Sequence, residues 1–348
     1  MKKVLITGVT GQDGSHMCDY LLKSTNHLIY GAVRRLSVSN HDNIAHILKN
    51  PRFHLVDMDL NDSHSITDTI IEHQPDYFLN FAAQSFVAGS WKYPIQTWET
   101  DSDAVLHILE SIRRFSPHCR FYNAGSSEEF GDINYSPQNE LHPLNPQSPY
   151  GAAKCAARHI VRVYRESYGL YAVQSWLFNH EGTRRGLDFV TRKITHNIAK
   201  LKFAIENNNK IPVLSLGNIE AKRDWSDAED LIPAVWLMLH QDQPKNYVLG
   251  SGKMHSVREF LNYAFNYFDI SYNIHGKGSD EKFYLPSGDL IFEVNPDFYR
   301  PAEVHKLCAD ISLVSQELNW KPKSTLKSLV EKMCSHDYEL ISRNNRCI

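Results

Sequence analysis

Thr7-Gly8-Val9-Thr10-Gly11-Gln12-Asp13-Gly14 is the stretch on which the reading of this 348-residue chain turns. It follows the apolar, strand-like run Val4–Thr7 and leads into helical periodicity over Ser15–Leu22. Glycines at these spacings let the backbone turn tightly and approach a pyrophosphate, while the helix that follows aims its N-terminal N–H groups at the anion. Three spaced glycines alone are a weak signal, since a βα turn without a ligand can carry them too. Their place between the first strand and the first helix makes this a dinucleotide loop, with Gly8, Gly11, Gln12, Asp13 and Gly14 as its cofactor contacts.

Outward from the loop, short β-rich runs alternate with longer amphipathic segments. Val4–Thr7, His27–Val33, Phe53–Asp57, Tyr77–Ala83, Arg120–Gly125 and Val173–Phe178 read as strands. Parallel strands joined by right-handed helical crossovers bury both faces of a sheet, so the expected class is α/β: a doubly wound parallel Rossmann sheet. Beyond residue 179 the alternation gives way to loops such as Glu206–Pro212 and Asp242–Asn246, and only the apolar helix Asp230–Leu239 reads as returning to the first unit. The expected division is 1–178, with a returning segment near 213–245, for the dinucleotide. A smaller mixed α/β substrate domain takes 179–212 and 246–348. Ligands of such sheets bind at the carboxyl ends of the strands, which puts the site between the two parts.

Composition narrows the partners. Against 40 Asp plus Glu, 37 Lys plus Arg leave a net charge of −3, which argues against a nucleic-acid surface and makes any phosphate recognition local. No apolar run approaches the ~18–20 residues needed to span a bilayer, and the N-terminus lacks a signal-peptide pattern. Six cysteines without CxxC pairing give neither a disulfide scaffold nor a metal site, and the expected location is the cytoplasm.

At the end of the second strand, an NAD-preferring fold normally carries an acidic residue about 20 residues after the loop to bind the ribose 2′-OH. Here Arg34 and Arg35 stand instead. Two guanidinium groups suit a 2′-phosphate and favour NADP, against the alternative of a solvated basic pair. Asp59-Leu60 is a candidate for the adenine edge, with Asp59 alternatively a cap for the next helix.

Tyr150 and Lys154 sit four apart at the start of a helical pattern that stops near Gly169. That spacing puts both on one face, where the ammonium can lower the phenol pKa so that Tyr150 takes a proton from a substrate hydroxyl. Ser126, after the fifth strand, can hydrogen-bond the same hydroxyl, or else simply form the turn. Glu128 can reach the same site as acid/base for a carbon-bound proton, whereas adjacent Glu129 reads as a surface carboxylate.

These residues resemble the extended short-chain dehydrogenase/reductases, and within them the GDP-mannose 4,6-dehydratase family. The likeness runs through Ala82-Ala83-Gln84-Ser85, Ser126–Gly131 and Ser148–Lys154, then Asn179–Gly186, Phe189–Ile194, Gly217–Trp225, His255–Phe260 and Tyr299–Val304. What the resemblance implies is a lyase acting on GDP-mannose. Tyr150, helped by Lys154 and Ser126, deprotonates the 4-hydroxyl as hydride passes from C4 to NADP⁺. Glu128 then removes the C5 proton and assists loss of the C6 hydroxyl, and hydride returns to C6. By the same resemblance Ala82 touches the cofactor, and Ser85, Asn179, Val190, Lys193, Arg223, Arg300 and Glu303 hold the GDP-sugar. The arginines take the diphosphate and Glu303 a ribose hydroxyl.

Ser126 stands where the family has Thr, Glu129 and Phe130 replace an apolar residue and a Tyr, and Gly182-Thr183 replace Ser-Pro. Placed beside the sugar, these changes keep open a GDP-manno-heptose dehydratase as a second substrate reading. A GDP-sugar epimerase or dehydrogenase would also fit the superfamily, and a catalytically silent NADP-binding regulator would fit the fold. The resemblance further implies a homodimer or homotetramer, with 34–40 either a contact loop between subunits or a flexible cofactor-side loop.

Overall fold

The computed structural model describes residues 1–299 and 307–346. Its central sheet comprises β1 (Lys3–Thr7), β2 (Leu28–Val33), β3 (Phe53–Asp57), β4 (Tyr77–Asn80), β5 (Arg120–Asn123) and β6 (Ala172–Gln174). All pair in parallel, in the order β3-β2-β1-β4-β5-β6. Successive side chains of a strand face opposite ways, and both faces are covered. Val4, Ile6, Leu79, Tyr122 and Val173 pack on one side with Met17, Leu21, Leu231 and Val235 from the helices Gln12–Ser24 and Ala228–Met238. Leu5, Phe78, Phe121 and Ala172 pack on the other with Ile66, Ile108 and Val161 from the helices Ser63–His73, Ala104–Phe115 and Pro149–Tyr168. The strand order reverses between β1 and β4, so their carboxyl ends open a crevice there.

A second core is built by the helices Val190–Glu206, Val257–Tyr267 and Leu326–Arg346 around a four-stranded sheet. That sheet is made of Asn273–His275, Lys282–Tyr284, Leu290–Val294 and Leu214–Leu216. The chain passes between the two cores more often than the single return read from the sequence. Leu214–Leu216, inside 213–245, pairs in the second sheet. Val248–Leu249 pairs with Trp176–Leu177, the continuation of β6, and Val314, Leu318 and Trp320 join the first core. Trp176 and Phe178 would otherwise face water, and Val248, Leu307 and Ala309 cover them. Among the described residues no helix is long and apolar enough to cross a membrane.

Candidate active site

The crevice at the carboxyl ends of β1 and β4 opens into a cavity of about 1100 Å³ that reaches from the Gly8–Gly14 loop to the strand Lys222–Asp224. That volume exceeds the ~300–1,000 Å³ of a site for one small ligand and leaves room for a second.

Gly8 has φ +70°, and a Cβ there would lie 2.8 Å from the Ala82 nitrogen; a Cβ on Gly14 would lie 2.3 Å from the Gly8 carbonyl oxygen. At these two positions the backbone is thus packed too tightly for any side chain. The Gly11 N–H donates to the Gly8 carbonyl (2.9 Å), and Gly11 caps the helix Gln12–Ser24 without a side-chain hydrogen bond, so no side chain competes for its first turn. This cradle fits an anion of the pyrophosphate kind. Asp13 is held from across the chain. Burial alone would raise its pKa, but the charge and hydrogen bond of His180 (2.9 Å), with Arg185, bring it down to about 2, and Asp13 in turn pushes His180 up against burial.

Gly8, Gly11, Gln12, Asp13, Gly14, Arg34, Asp59, Leu60 and Ala82 all line the cavity. Arg35 does not: side chains one residue apart diverge where β2 ends, and only Arg34 turns inward. The cap of Ser63–His73 is Asp62, whose Oδ1 accepts the N–H groups of His64 and Ser65, which leaves Asp59 on the cavity wall.

Ser126, Glu128, Tyr150 and Lys154 converge on the same wall. Ser126 caps the turn Ser127–Glu129, its Oγ accepting the Glu128 N–H (3.2 Å), and the Tyr150 hydroxyl hydrogen-bonds Ser126. Ser148 caps the helix Pro149–Tyr168 by accepting the Gly151 N–H (3.0 Å), which sets Tyr150 in its first turn. Lys154 Nζ lies 5.8 Å from the Tyr150 ring centre and donates to the Ala124 carbonyl (3.0 Å). The expected lowering of the phenol is reversed. Burial, then the charges of Asp101, Glu128 and Glu129, push Tyr150 above the ordinary tyrosine range despite the Ser126 hydrogen bond.

Ser85, Asn179, Val190, Lys193 and Arg223 line the same cavity, as do Trp225 and Phe298. Arg223 is 8% exposed and donates to the Lys222 carbonyl (2.7 Å). Next to it, the Asp224 carboxylate accepts from Ser251 N–H (2.7 Å) and Oγ–H (2.5 Å), Gly252 N–H (2.9 Å) and Ala309 N–H (3.0 Å), which pins the strand in place. Arg300 and Glu303 lie outside the described residues.

Two expectations are corrected here. Glu129 is no surface carboxylate: it is fully buried and paired with Arg158. Of the departures from the family pattern, moreover, only Ser126 lines the cavity. Phe130 stacks on Trp176 in a small apolar core, Glu129 faces Arg158, and Gly182 faces Gln12 and His16 behind the dinucleotide loop.

Asp101 is a residue that sequence reasoning missed. It is 1% exposed, accepts the Gln84 N–H (2.7 Å), and burial pushes its carboxyl up to about 6 against the charge of Lys154. The signal was present as a carboxylate within the stripe Thr97, Asp101, Val105 and Ile108, whose helical spacing faces the core.

Residues 5–333 match a family model described as GDP-mannose 4,6 dehydratase. A GDP-mannose 4,6-dehydratase of Vibrio cholerae serotype O1 is 40% identical over 356 residues, spanning 97% of this chain and 94% of that one. The Homo sapiens GDP-mannose 4,6 dehydratase is 39% identical over 349 residues, 98% and 92% of the two chains. In fold, the chain is similar to a Bacillus anthracis dTDP-glucose 4,6-dehydratase in complex with NAD, with a TM-score of 0.79 at 20% identity over 99% of this chain and 98% of that one. It is also similar to RMD from Pseudomonas aeruginosa complexed with NADPH, with a TM-score of 0.76 at 19% identity over 98% and 100%.

Proposed function

The chain belongs to the GDP-mannose 4,6-dehydratase family, and from that premise we propose which residues carry the reaction and with what cofactor. It is a nucleotide-sugar 4,6-dehydratase, and the net conversion is GDP-mannose to GDP-4-keto-6-deoxymannose and water. The observation that carries the residue assignment is the convergence of Ser126, Glu128, Tyr150 and Lys154 on one wall of the cavity that the glycine cradle and Arg223 also line.

The glycine cradle, with Arg34 at the 2′-phosphate and Asp59, Leu60 and Ala82 around the adenosine half, holds NADP. When bound there, the nicotinamide supplies the acceptor for hydride from C4 and its donor to C6. Ser126 Oγ positions the sugar's 4-hydroxyl, and Tyr150 takes its proton, with the Lys154 ammonium stabilising the phenolate. The resulting ketone acidifies the C5 proton. Glu128 removes that proton and delivers it to the departing C6 hydroxyl, so that water leaves. One proton returns to C5 to match the one lost from O4, and the turnover releases no net acid.

Arg223 and Lys193 take the diphosphate, with Arg300 and Glu303 assigned by their motif, and Ser85, Asn179 and Val190 line the sugar side. The first core thus serves the dinucleotide and the second the GDP-sugar. Exposed Leu106 and Val163 on two neighbouring helices support a homodimer or homotetramer, and the five cysteines among the described residues, all buried and unpaired, support a reducing, cytoplasmic setting. The test is incubation with GDP-mannose and either NADP⁺ or NAD⁺, with GDP-manno-heptose alongside. A product lighter than GDP-mannose by one water is expected, formed faster with NADP⁺. Absence of that product with both cofactors refutes the reading.

A further inference from the structure

Behind the catalytic wall runs an unbroken line of buried polar side chains. Thr7 Oγ1–H donates to Asn80 Oδ1 (2.6 Å), Asn80 Nδ2 to Asn123 Oδ1 (2.8 Å), and Asn123 Nδ2 to Gln174 Oε1 (2.7 Å). These four are the last residues of β1, β4, β5 and β6. Gln174 Nε2 then donates both to Glu129 Oε1 (3.1 Å) and to the Lys154 carbonyl (3.1 Å). Glu129 Oε1 also accepts the Ser126 N–H (2.8 Å), while Glu129 Oε2 pairs with Arg158 Nε. Arg158 Nη1 donates to the Gln174 carbonyl (3.0 Å) and Nη2 to the Ser175 carbonyl (2.8 Å) and Glu129 Oε1 (3.1 Å), and the guanidinium lies 3.5 Å from the Trp176 ring centre. Gln174, Glu129 and Arg158, the charged end of the line, are at most 4% exposed.

A buried ion pair is a poor source of stability, because desolvating both charges offsets their attraction; apolar residues of similar volume are often equal or better by ~1–4 kcal/mol. What such a pair does supply is direction: its donors and acceptors are satisfied only in one fixed geometry. Here the directed bonds join the two catalytic segments, the turn that carries Ser126 and Glu128 and the helix that carries Tyr150 and Lys154.

We propose that Glu129 is a positioning residue for the dehydration, held by Arg158 and Gln174, and that it fixes Ser126 relative to Lys154 and aims Glu128 at the sugar. None of these three side chains lines the cavity, and their effect passes through the Ser126 N–H and the Lys154 carbonyl. The proposal rests on the dehydratase reading. Turnover of GDP-mannose by the parent chain is therefore measured first, and its absence refutes that reading without bearing on the clamp.

With an active parent, E129L/R158M removes both charges together and keeps the core apolar. The expected result is a melting temperature near the parent's and unchanged KM for GDP-mannose, with kcat lower by ~10–100-fold, the cost of a small misplacement of reacting groups. E129Q/R158M, which restores a neutral acceptor for the Ser126 N–H, should recover most of that loss. Turnover of E129L/R158M within twofold of the parent overturns the proposal. So does equal loss in both double variants, and so does failure of E129L/R158M to fold, since the pair would then be a determinant of the fold alone.

Discussion

Asp13 and His180 meet at 2.9 Å although 167 residues apart in the chain, and the pair fastens the dinucleotide loop to the motif that opens the substrate side. Its pH dependence has two signs. His180 titrates above its ordinary value, so its contribution is complete below the unfolded value near 6.5 and is lost as pH rises through the raised one. Asp13, lowered to about 2, contributes above the unfolded value of 3.8 and loses that as pH falls toward 2. Stability of the parent relative to His180→Gln should therefore peak between about pH 4 and 6.5, measured by urea unfolding across that range. A flat difference would dismiss the pair.

Tyr150→Phe should reduce kcat by at least ~10²–10⁴, the usual worth of a general base, with little change in melting temperature. Because burial holds the phenol high, C4 oxidation by the parent should accelerate as pH rises. Near-parental turnover by the variant would remove Tyr150 from the chemistry.

Glu128→Gln should leave the first oxidation in place and slow elimination by ~10²–10⁴. Mass spectrometry should find a GDP-4-keto-hexose that keeps its C6 oxygen. A normal proportion of deoxy product would reassign the acid/base.

Arg34→Ala should cost NADP binding ~10–100-fold relative to NAD, as expected for lost charge-assisted hydrogen bonds of ~1.5–3 kcal/mol. Arg35→Ala, which alters a side chain off the cavity wall, should stay within about twofold. Titration of both cofactors into each variant decides the matter, and a larger loss for Arg35→Ala reverses the assignment.

Asp101→Asn should stabilise the protein at pH 7. The folded carboxyl, raised to about 6 by burial, is at no disadvantage below the unfolded value of 3.8 and loses stability progressively as pH climbs to 6. The gain should approach ~3 kcal/mol at pH 7 and vanish near pH 4 in denaturant titrations. Equal stability of the two proteins at pH 7 would show that the charge is compensated.

The six central strands were legible because parallel strands buried on both faces write themselves as apolar runs ended by glycine or polar residues. Two of them end sooner than read, Tyr77–Ala83 at Asn80 and Arg120–Gly125 at Asn123, and Val173–Phe178 breaks at Ser175 into β6 and the segment paired with Val248–Leu249. Tyr150, Lys154, Ser126 and Glu128 were legible through spacing and position. Glu129 was not, because its burial depends on Arg158, 29 residues further along the chain, and no local pattern announces so remote a partner. The second sheet escaped for another reason: strands such as Leu214–Leu216 and Lys282–Tyr284 are too short to carry a period of two.

The seam between Trp176–Leu177 and Val248–Leu249 limits how the family can be recombined. A polypeptide cut after residue 178 would leave Trp176 and Phe178 without the cover of Val248 and Ala309, and β1 without the layer to which Val314 and Leu318 belong. Chimaeras assembled from contiguous halves of two relatives would mismatch both sides of that seam and tend to aggregate. Exchange of specificity must therefore proceed by scattered replacements along the cavity wall, with the interleaved backbone inherited whole.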